Sequence, residues 1–291
     1  MRGYIEPEAA FQGTLLFLAP HMDDEVLACG ATIAQLPDHG RIHIAYATDG
    51  ARSPVPTFAW SARASADLPA IRRAEAKSAL SVLGIPERNA HYLNFPDAAL
   101  QKSLPALTLA LLNLLERVRP SCVFIPFRYD RHPDHLALHA AARQASTLFN
   151  PGVQLIEYFV YYRWRLLPGG DVRTLIAPEH LVIVDVRDKG HQKRCALECY
   201  ASQTTRFFRW QDRPILPPER VAEVSCAPEW FLRTDPAHPA ATVFDRMKPW
   251  IPVAHRLEPV LKKAKDTVGE LTRRPLRDLC GRTRSSCRID V

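Results

Sequence analysis

The chain has 291 residues, 47% of them hydrophobic and 24% charged, which suits one large or two ordinary globular domains and excludes a stapled mini-protein, a fibrous repeat and a disordered chain. Thirty-eight Lys/Arg against 31 Asp/Glu give a formal charge of +7, but residues 256–291 alone hold ten basic and five acidic side chains. The remainder is close to neutral, so the charge permits an anionic partner without requiring one. Seven cysteines without a CxxC spacing argue against a disulfide framework and a thiolate metal site, and point to a reducing cytoplasm. The N-terminus predicts no signal peptide, and the longest apolar run, Ala106 to Leu115, falls well short of the ~20 residues of a membrane span.

In chain order, Thr14 to Ala19 reads as a buried strand, followed by a helix from about Asp23 that stops near Pro37-Asp-His-Gly40. Arg41 to Thr48 alternates like a second strand. The loop from Asp49 to Leu68 is long enough to be functional. Pro69 to Leu83 predicts a helix with Pro at its start and Gly84 past its end. Strands at His91–Phe95 and Cys122–Phe127 flank a helix over Leu104–Val118. A helix over Pro133–Phe149, strands at Leu155–Tyr162 and Leu181–Val186, and a helix over Lys189–Ala201 complete the pattern.

Strands alternating with helices predict an α/β fold, a Rossmann-like, mostly parallel sheet with helices on both faces. From Arg206 the pattern fades, with eight prolines between Pro214 and Pro252. The expected organisation is a catalytic α/β domain over 1–205, an irregular Pro-rich C-terminal elaboration over 206–252 packed on it, and a basic, partly helical or flexible tail over 253–291.

Two clusters carry the chemistry. Ala19-Pro-His-Met-Asp-Asp-Glu-Val26 follows the first strand and opens a helix, where ligands bind in parallel α/β sheets. Three acids at a buried strand end need positive charge among them. A plain N-cap role for Asp23 or Asp24 would explain one acid and leave His21 unexplained. Arg128-Tyr-Asp-Arg-His-Pro-Asp-His135 repeats the arrangement after the fourth strand. Together, two His/Asp clusters outline a mixed imidazole/carboxylate metal site with fewer than four protein ligands, as suits a catalytic zinc that keeps a position for water. No GxGxxG, Walker A, GxSxG or HExxH is present, which removes the common dinucleotide, NTP, serine-hydrolase and zincin readings.

His21-Met-Asp-Asp-Glu25 with Cys29-Gly30, and His132-Pro-Asp-His135, resemble the two signature motifs of the PIG-L/LmbE family of zinc-dependent N-acetylglucosaminide deacetylases. Thr48-Asp-Gly50, Arg72-Arg-Ala-Glu75 and the stretch from Lys193 to Ser202-Gln203 extend the resemblance over roughly residues 12–205. Met22 stands where the family usually has Pro, a change that removes no ligand. The resemblance implies that His21, Asp24 and His135 bind one Zn²⁺ per chain, with Fe²⁺ or another divalent metal as alternatives. It implies Asp23 as general base and His132 as a stabiliser of the oxyanion, with Asp134 holding the His132 imidazole in its working tautomer and favouring its charged form. Arg72 is the implied substrate contact, against the alternative of an exposed i,i+3 ion pair with Glu75. Asp49 either lines the site or caps a loop.

The expected function is hydrolytic removal of acetyl from a small-molecule or lipid-linked N-acetylated amino sugar. The alternatives are an amidase or deacylase acting on another amide and a catalytically silent carbohydrate-binding protein. Aromatics at Tyr158–Trp164 and Phe207–Trp210 either stack on sugar rings or serve as strand core and loop anchor. No nucleic-acid partner is expected. The expected location is cytoplasmic, with the basic tail a candidate for peripheral contact with anionic membrane. The sequence sets no oligomeric state.

Overall fold

The computed structural model describes residues 3–54, 67–150, 152–163 and 170–234, and Leu257. The elements in order are α1 Pro7–Ala10, β1 Leu15–Ala19, α2 Asp24–Gln35, β2 Ile42–Thr48, α3 Leu68–Val82, β3 Ala90–Phe95, α4 Leu104–Val118, β4 Cys122–Pro126, α5 Pro133–Phe149, β5 Gln154–Tyr158, β6 Leu181–Val184, α6 Gly190–Glu198, α7 Ala201–Thr204, α8 Pro218–Cys226 and β7 Glu229–Thr234. They build one seven-stranded sheet in the order β3-β2-β1-β4-β5-β7-β6. The pairs from β3 to β5 are parallel, with Leu15 opposite both Ile42 and Cys122, whereas β7 runs antiparallel to β5 and β6.

β1 and β4 are buried along their whole length because helices cover both faces. Successive side chains of a strand point to opposite faces. Leu15, Phe17 and Ala19 therefore enter a core shared with α2, α3, α6 and α8, while Leu16 and Leu18 enter one shared with α4 and α5. Phe17 and Phe124 stack at 4.0 Å across β1 and β4 in the first core. The order reverses between β1 and β4, since β2 follows β1 on one side and β4 lies on the other. In open α/β sheets that reversal opens a crevice at the strand C-termini.

The predicted α/β class is the observed one, and the Pro-rich segment is less irregular than its composition suggests. Residues 218–226 are helical and 229–234 fill the gap between β5 and β6. Pro218 sits in the first helical turn, where no N–H is needed. Glu229 masks the strand in the sequence, yet it is 3% exposed: its carboxylate accepts from the Ala31 and Thr32 amides of α2 at 2.8 and 2.7 Å and pairs with Lys193 Nζ at 2.7 Å. The predicted strand over Leu155–Tyr162 ends at Tyr158, and the one over Leu181–Val186 ends at Val184.

The chain divides into two compact units, residues 1–162 with 176–241 and residues 163–175 with 242–291. In the second, Arg173 pairs with Asp171 at 2.7 Å beside the helical turn Val172–Leu175. The rest of the Pro-rich stretch and nearly all of the basic tail lie outside the described residues. Among the described residues no helix is long and apolar enough to cross a membrane, and the five cysteines there are free.

Candidate active site

The turn after β1 carries the first cluster. The His21 amide donates to Asp24 Oδ2 at 3.0 Å, and His21 Nδ1 lies 3.2 Å from the same oxygen. Asp23 occupies the N-cap position of α2 with φ 137° and ψ −25°, a conformation that L side chains rarely adopt, and its side chain makes no cap bond. Glu25, 1% exposed, holds that backbone: its Oε2 accepts the Asp23 amide at 3.1 Å, while Oε1 accepts the hydroxyls of Tyr46, at 2.9 Å, and Tyr200. The Asp23 carboxylate accepts no hydrogen bond among the described residues. Its nearest cation is Arg72 Nη2 at 3.7 Å. Burial pushes the Asp23 carboxyl up to about 7, against the opposing pull of Arg72.

The second cluster opens α5, with Pro133 in the first turn and His132 as N-cap. The Asp134 amide donates to His132 Nδ1 at 3.2 Å. Asp130 accepts the His132 amide on Oδ1 at 2.9 Å and the Tyr161 amide on Oδ2 at 3.2 Å, and Oδ2 lies 3.2 Å from His135 Nδ1. His135 is fully buried, and its Nε2 lies 3.2 Å from Asp24 Oδ2. Asp24 thus stands between the two clusters, touching His21 and His135 at once.

Loops after β2 and β3 complete the crevice. Asp49 Oδ1 accepts the Ala51 and Asp97 amides at 3.0 and 3.2 Å, so this carboxylate braces two loops against each other. Gly50, with φ +68°, brings its backbone so close to Arg72 that an added Cβ would stand 3.2 Å from Arg72 Cγ. Asp97 Oδ2 accepts the Arg52 amide at 2.8 Å, and its Oδ1 lies 3.3 Å from His21 Nε2.

Donor atoms of His21, His132 and His135 lie within 4.8 Å of one another, as do those of His21, Asp97 and Asp134. Both ring nitrogens of His135 are buried and lack aligned hydrogen-bond partners, despite the nearby Asp24 and Asp130 oxygens. Half-buried to buried imidazole and carboxylate donors gathered in two groups that share His21 fit a divalent cation. The same carboxylates also favour positive charge on two of the rings, those of His21 and His135. Burial opposes that charge on His21, but Asp134, Asp24 and Asp97 outweigh it and hold the ring well above its ordinary value. Burial likewise opposes it on His135, where Asp130 and Asp24 raise the ring to about 9. Burial and the neighbouring His21 and His135 charges lower His132 to about 4.

The structure thus brings together His21, Asp23, Asp24, His132, Asp134 and His135 from the two sequence clusters. Two expected roles change. The Asp134 carboxylate turns away from the His132 ring, accepting the Ala98 amide at 2.8 Å and the Leu100 amide at 3.1 Å and lying 3.3 Å from His21 Nε2. What orients His132 is the Asp134 backbone, and although the Asp134 charge favours the protonated ring as expected, burial and the other two imidazoles outweigh it and shift the ring towards its neutral form. Arg72 is 1% exposed rather than displayed, donates to the Met22 carbonyl and lies over the Tyr200 ring at 5.6 Å. Its expected alternative, an exposed pair with Glu75, is absent: Glu75 is buried and accepts the Ser202 amide and hydroxyl at 2.6 and 2.7 Å.

Sequence reasoning assigned no role to Asp97, Asp130 or Glu25. Asp130, two residues before His132, had a detectable signal; Asp97 is an acid in a loop with none. Tyr161, at 46% exposed, places its ring 5.4 Å from that of His135 and 6.2 Å from that of His132.

A mostly parallel α/β sheet with an imidazole/carboxylate cluster at its reversal point defines a Rossmann-like protein with a metal-competent centre. Residues 16–146, the stretch that holds both clusters, match the family described as PIG-L, GlcNAc-PI de-N-acetylase. The chain is 26% identical over 238 residues to a 1D-myo-inositol 2-acetamido-2-deoxy-alpha-D-glucopyranoside deacetylase of Rhodococcus jostii, covering 66% of this chain and 82% of the relative. It is 32% identical over 136 residues to the uncharacterized deacetylase YaiS of Escherichia coli, covering 45% of this chain and 66% of that one. The fold is similar to that of N,N'-diacetylchitobiose deacetylase from Pyrococcus horikoshii, with a TM-score of 0.59 at 21% identity over 81% of this chain and 88% of that one.

Proposed function

We propose that the protein is a metal-dependent N-deacetylase that removes acetyl from an N-acetylated amino sugar or a glycoconjugate containing one. The observation that carries this reading is the Asp23 carboxylate, which is uncommitted to any hydrogen bond and stands next in sequence to Asp24, where the His21 and His135 imidazoles converge. His21, Asp24 and His135 would hold the metal, with Zn²⁺ the ion best matched to imidazole and carboxylate donors. When bound, such an ion polarises an amide carbonyl and lowers the pKa of a water molecule toward ~7.

The protein's own groups do the rest. Asp23 takes the proton from the attacking water and returns it to the leaving amine, one carboxyl serving as base and then as acid. Its unusual backbone conformation, held by Glu25, aims it. His132 accepts the Asp134 amide on Nδ1, so the neutral ring carries its proton on Nε2. That N–H is available to the oxygen that becomes negative as the carbonyl is attacked. Arg72 draws Asp23 toward its ionised form and fixes the Met22 carbonyl beside it.

The test is mass-spectrometric detection of deacetylation across N-acetyl monosaccharides, nucleotide sugars and lipid-linked acceptors, for wild type and Asp23→Asn. Wild type should deacetylate at least one sugar, and the variant should lose that activity while binding as much metal. Turnover of non-sugar amides alone would overturn the substrate class. An inactive wild type that binds no metal would overturn the enzyme reading.

A further inference from the structure

We propose that the loop following α7, residues 205–216, docks the protein on an anionic lipid surface. The loop is closed at its base, where the Leu216 amide donates to the Gln203 carbonyl at 2.8 Å. Inside it, the buried Gln211 accepts the Phe208 amide on Oε1 at 2.8 Å, and the Gln211 amide donates to the Phe208 carbonyl at 3.0 Å. These bonds hold a defined shape that turns large side chains outward: Phe207 is 40% exposed, Trp210 44% and Ile215 48%. Phe207 and Trp210 are joined through Phe208 into one exposed aromatic cluster, with Ile215 exposed on the same closed loop, and exposed apolar groups gathered in this way mark an interaction site.

Arg206, Arg209 and Arg213 are interleaved with these apolar groups and exposed, and none of them has an ion pair or a hydrogen bond among the described residues. Asp212 is the one acid in the segment. Arginines without protein anions beside exposed Trp, Phe and Ile match the two layers of an anionic membrane, phosphate above acyl chain. A single-stranded nucleic acid suits the loop less well, because it needs open aromatic faces. Here Phe208 and Trp210 stack on each other at 5.5 Å, with Phe207 edge-on to Phe208 at 5.1 Å.

The loop is also tied to the centre. Gln203 donates to the Ser53 carbonyl at 2.9 Å and accepts the Ser53 hydroxyl at 3.1 Å; the neighbouring Arg52 amide binds Asp97, which faces His21. A lipid surface seated on the loop would lie near the residues that shape the centre, an arrangement that suits an amino sugar presented on a lipid. That last point rests on the deacetylase reading; the docking itself does not.

The test is co-sedimentation of the full chain with phosphatidylcholine vesicles, with and without phosphatidylglycerol. It compares wild type with Arg206→Gln/Arg209→Gln/Arg213→Gln and with Phe207→Ser/Trp210→Ser. Wild type should partition onto the anionic vesicles. Each arginine is worth roughly fivefold near such a surface, so the triple variant should bind on the order of a hundredfold more weakly. The aromatic variant should also detach, and both should keep wild-type circular dichroism and wild-type turnover of a soluble N-acetyl sugar. Wild type that ignores anionic vesicles would overturn the proposal. So would variants that sediment like wild type, which would place any binding in residues 256–291. A raised KM for soluble sugar with unchanged vesicle partition would instead make the loop a carbohydrate platform.

Discussion

Replacing Glu25 by Ala should damage stability and turnover together while sparing metal binding. The carboxylate accepts three donors, the Asp23 amide and the hydroxyls of Tyr46 and Tyr200, in a fully buried setting. Truncation leaves all three without an acceptor at about 1–3 kcal/mol each, or on the order of 3–5 kcal/mol once the cavity relaxes. It also frees Asp23 from its φ of 137°, so the carboxyl drifts from its aim. A displacement of about 1 Å costs roughly a hundredfold in rate. The expected result is a one- to two-decade fall in kcat with KM within about twofold, and unchanged zinc stoichiometry. Glu25→Gln keeps one acceptor for the Asp23 amide and should recover most of the kcat, separating aim from bulk. Urea denaturation and steady-state kinetics on the same preparations give both numbers. A loss of less than about 0.5 kcal/mol in Glu25→Ala, or a KM effect without a kcat effect, would refute the reasoning.

Asp130→Ala removes the oxygen beside His135 Nδ1 and should weaken zinc binding by roughly 10–100-fold, read by competition with a chromophoric chelator; equal affinity would contradict it. Lys193→Ala strands the buried Glu229 and should cost about 3–5 kcal/mol in denaturant unfolding, whereas a neutral effect would mean that the pair does not hold β7 to α6. Glu157 accepts Arg128 Nε and the Arg128 amide, both at 2.9 Å, and although burial raises its carboxyl, His139 and Arg128 outweigh that and hold it below its ordinary 4.5. A depressed carboxyl stabilises the fold above its unfolded pKa and loses that contribution as pH falls through the folded one. The stability difference between wild type and Glu157→Gln should therefore shrink as pH drops below the ordinary value; a constant difference would contradict the assignment.

What was legible in the sequence depended on how local its cause is. β1 and β4 are apolar runs ending in His/Asp turns, and Pro and Gly bracket α3, so composition alone located them and the two clusters. Asp23 as a simple N-cap was also a local reading. It failed because Glu25, itself fixed by Tyr46 and Tyr200 from far away in sequence, holds the Asp23 backbone away from a capping geometry. The direction of the Asp134 carboxylate is set by the amides of Ala98 and Leu100, and no spacing rule reveals a partner 34 residues away. β7 was hidden because an acid at its first position reads as a surface residue until Lys193 and two α2 amides are placed around it. Arg72 looked like a surface contact for the same reason, its burial being set by Asp23, Met22 and Tyr200.

The proposed function rests on a metal centre of His21, Asp24 and His135 served by Asp23. The most direct measurement is acetate released from an N-acetylated amino sugar by metal-stripped protein titrated with Zn²⁺. Release should rise to a plateau at about one zinc per chain, and Asp23→Asn should bind the same zinc with almost no release. Release that is independent of added metal, or that persists in Asp23→Asn, would contradict it.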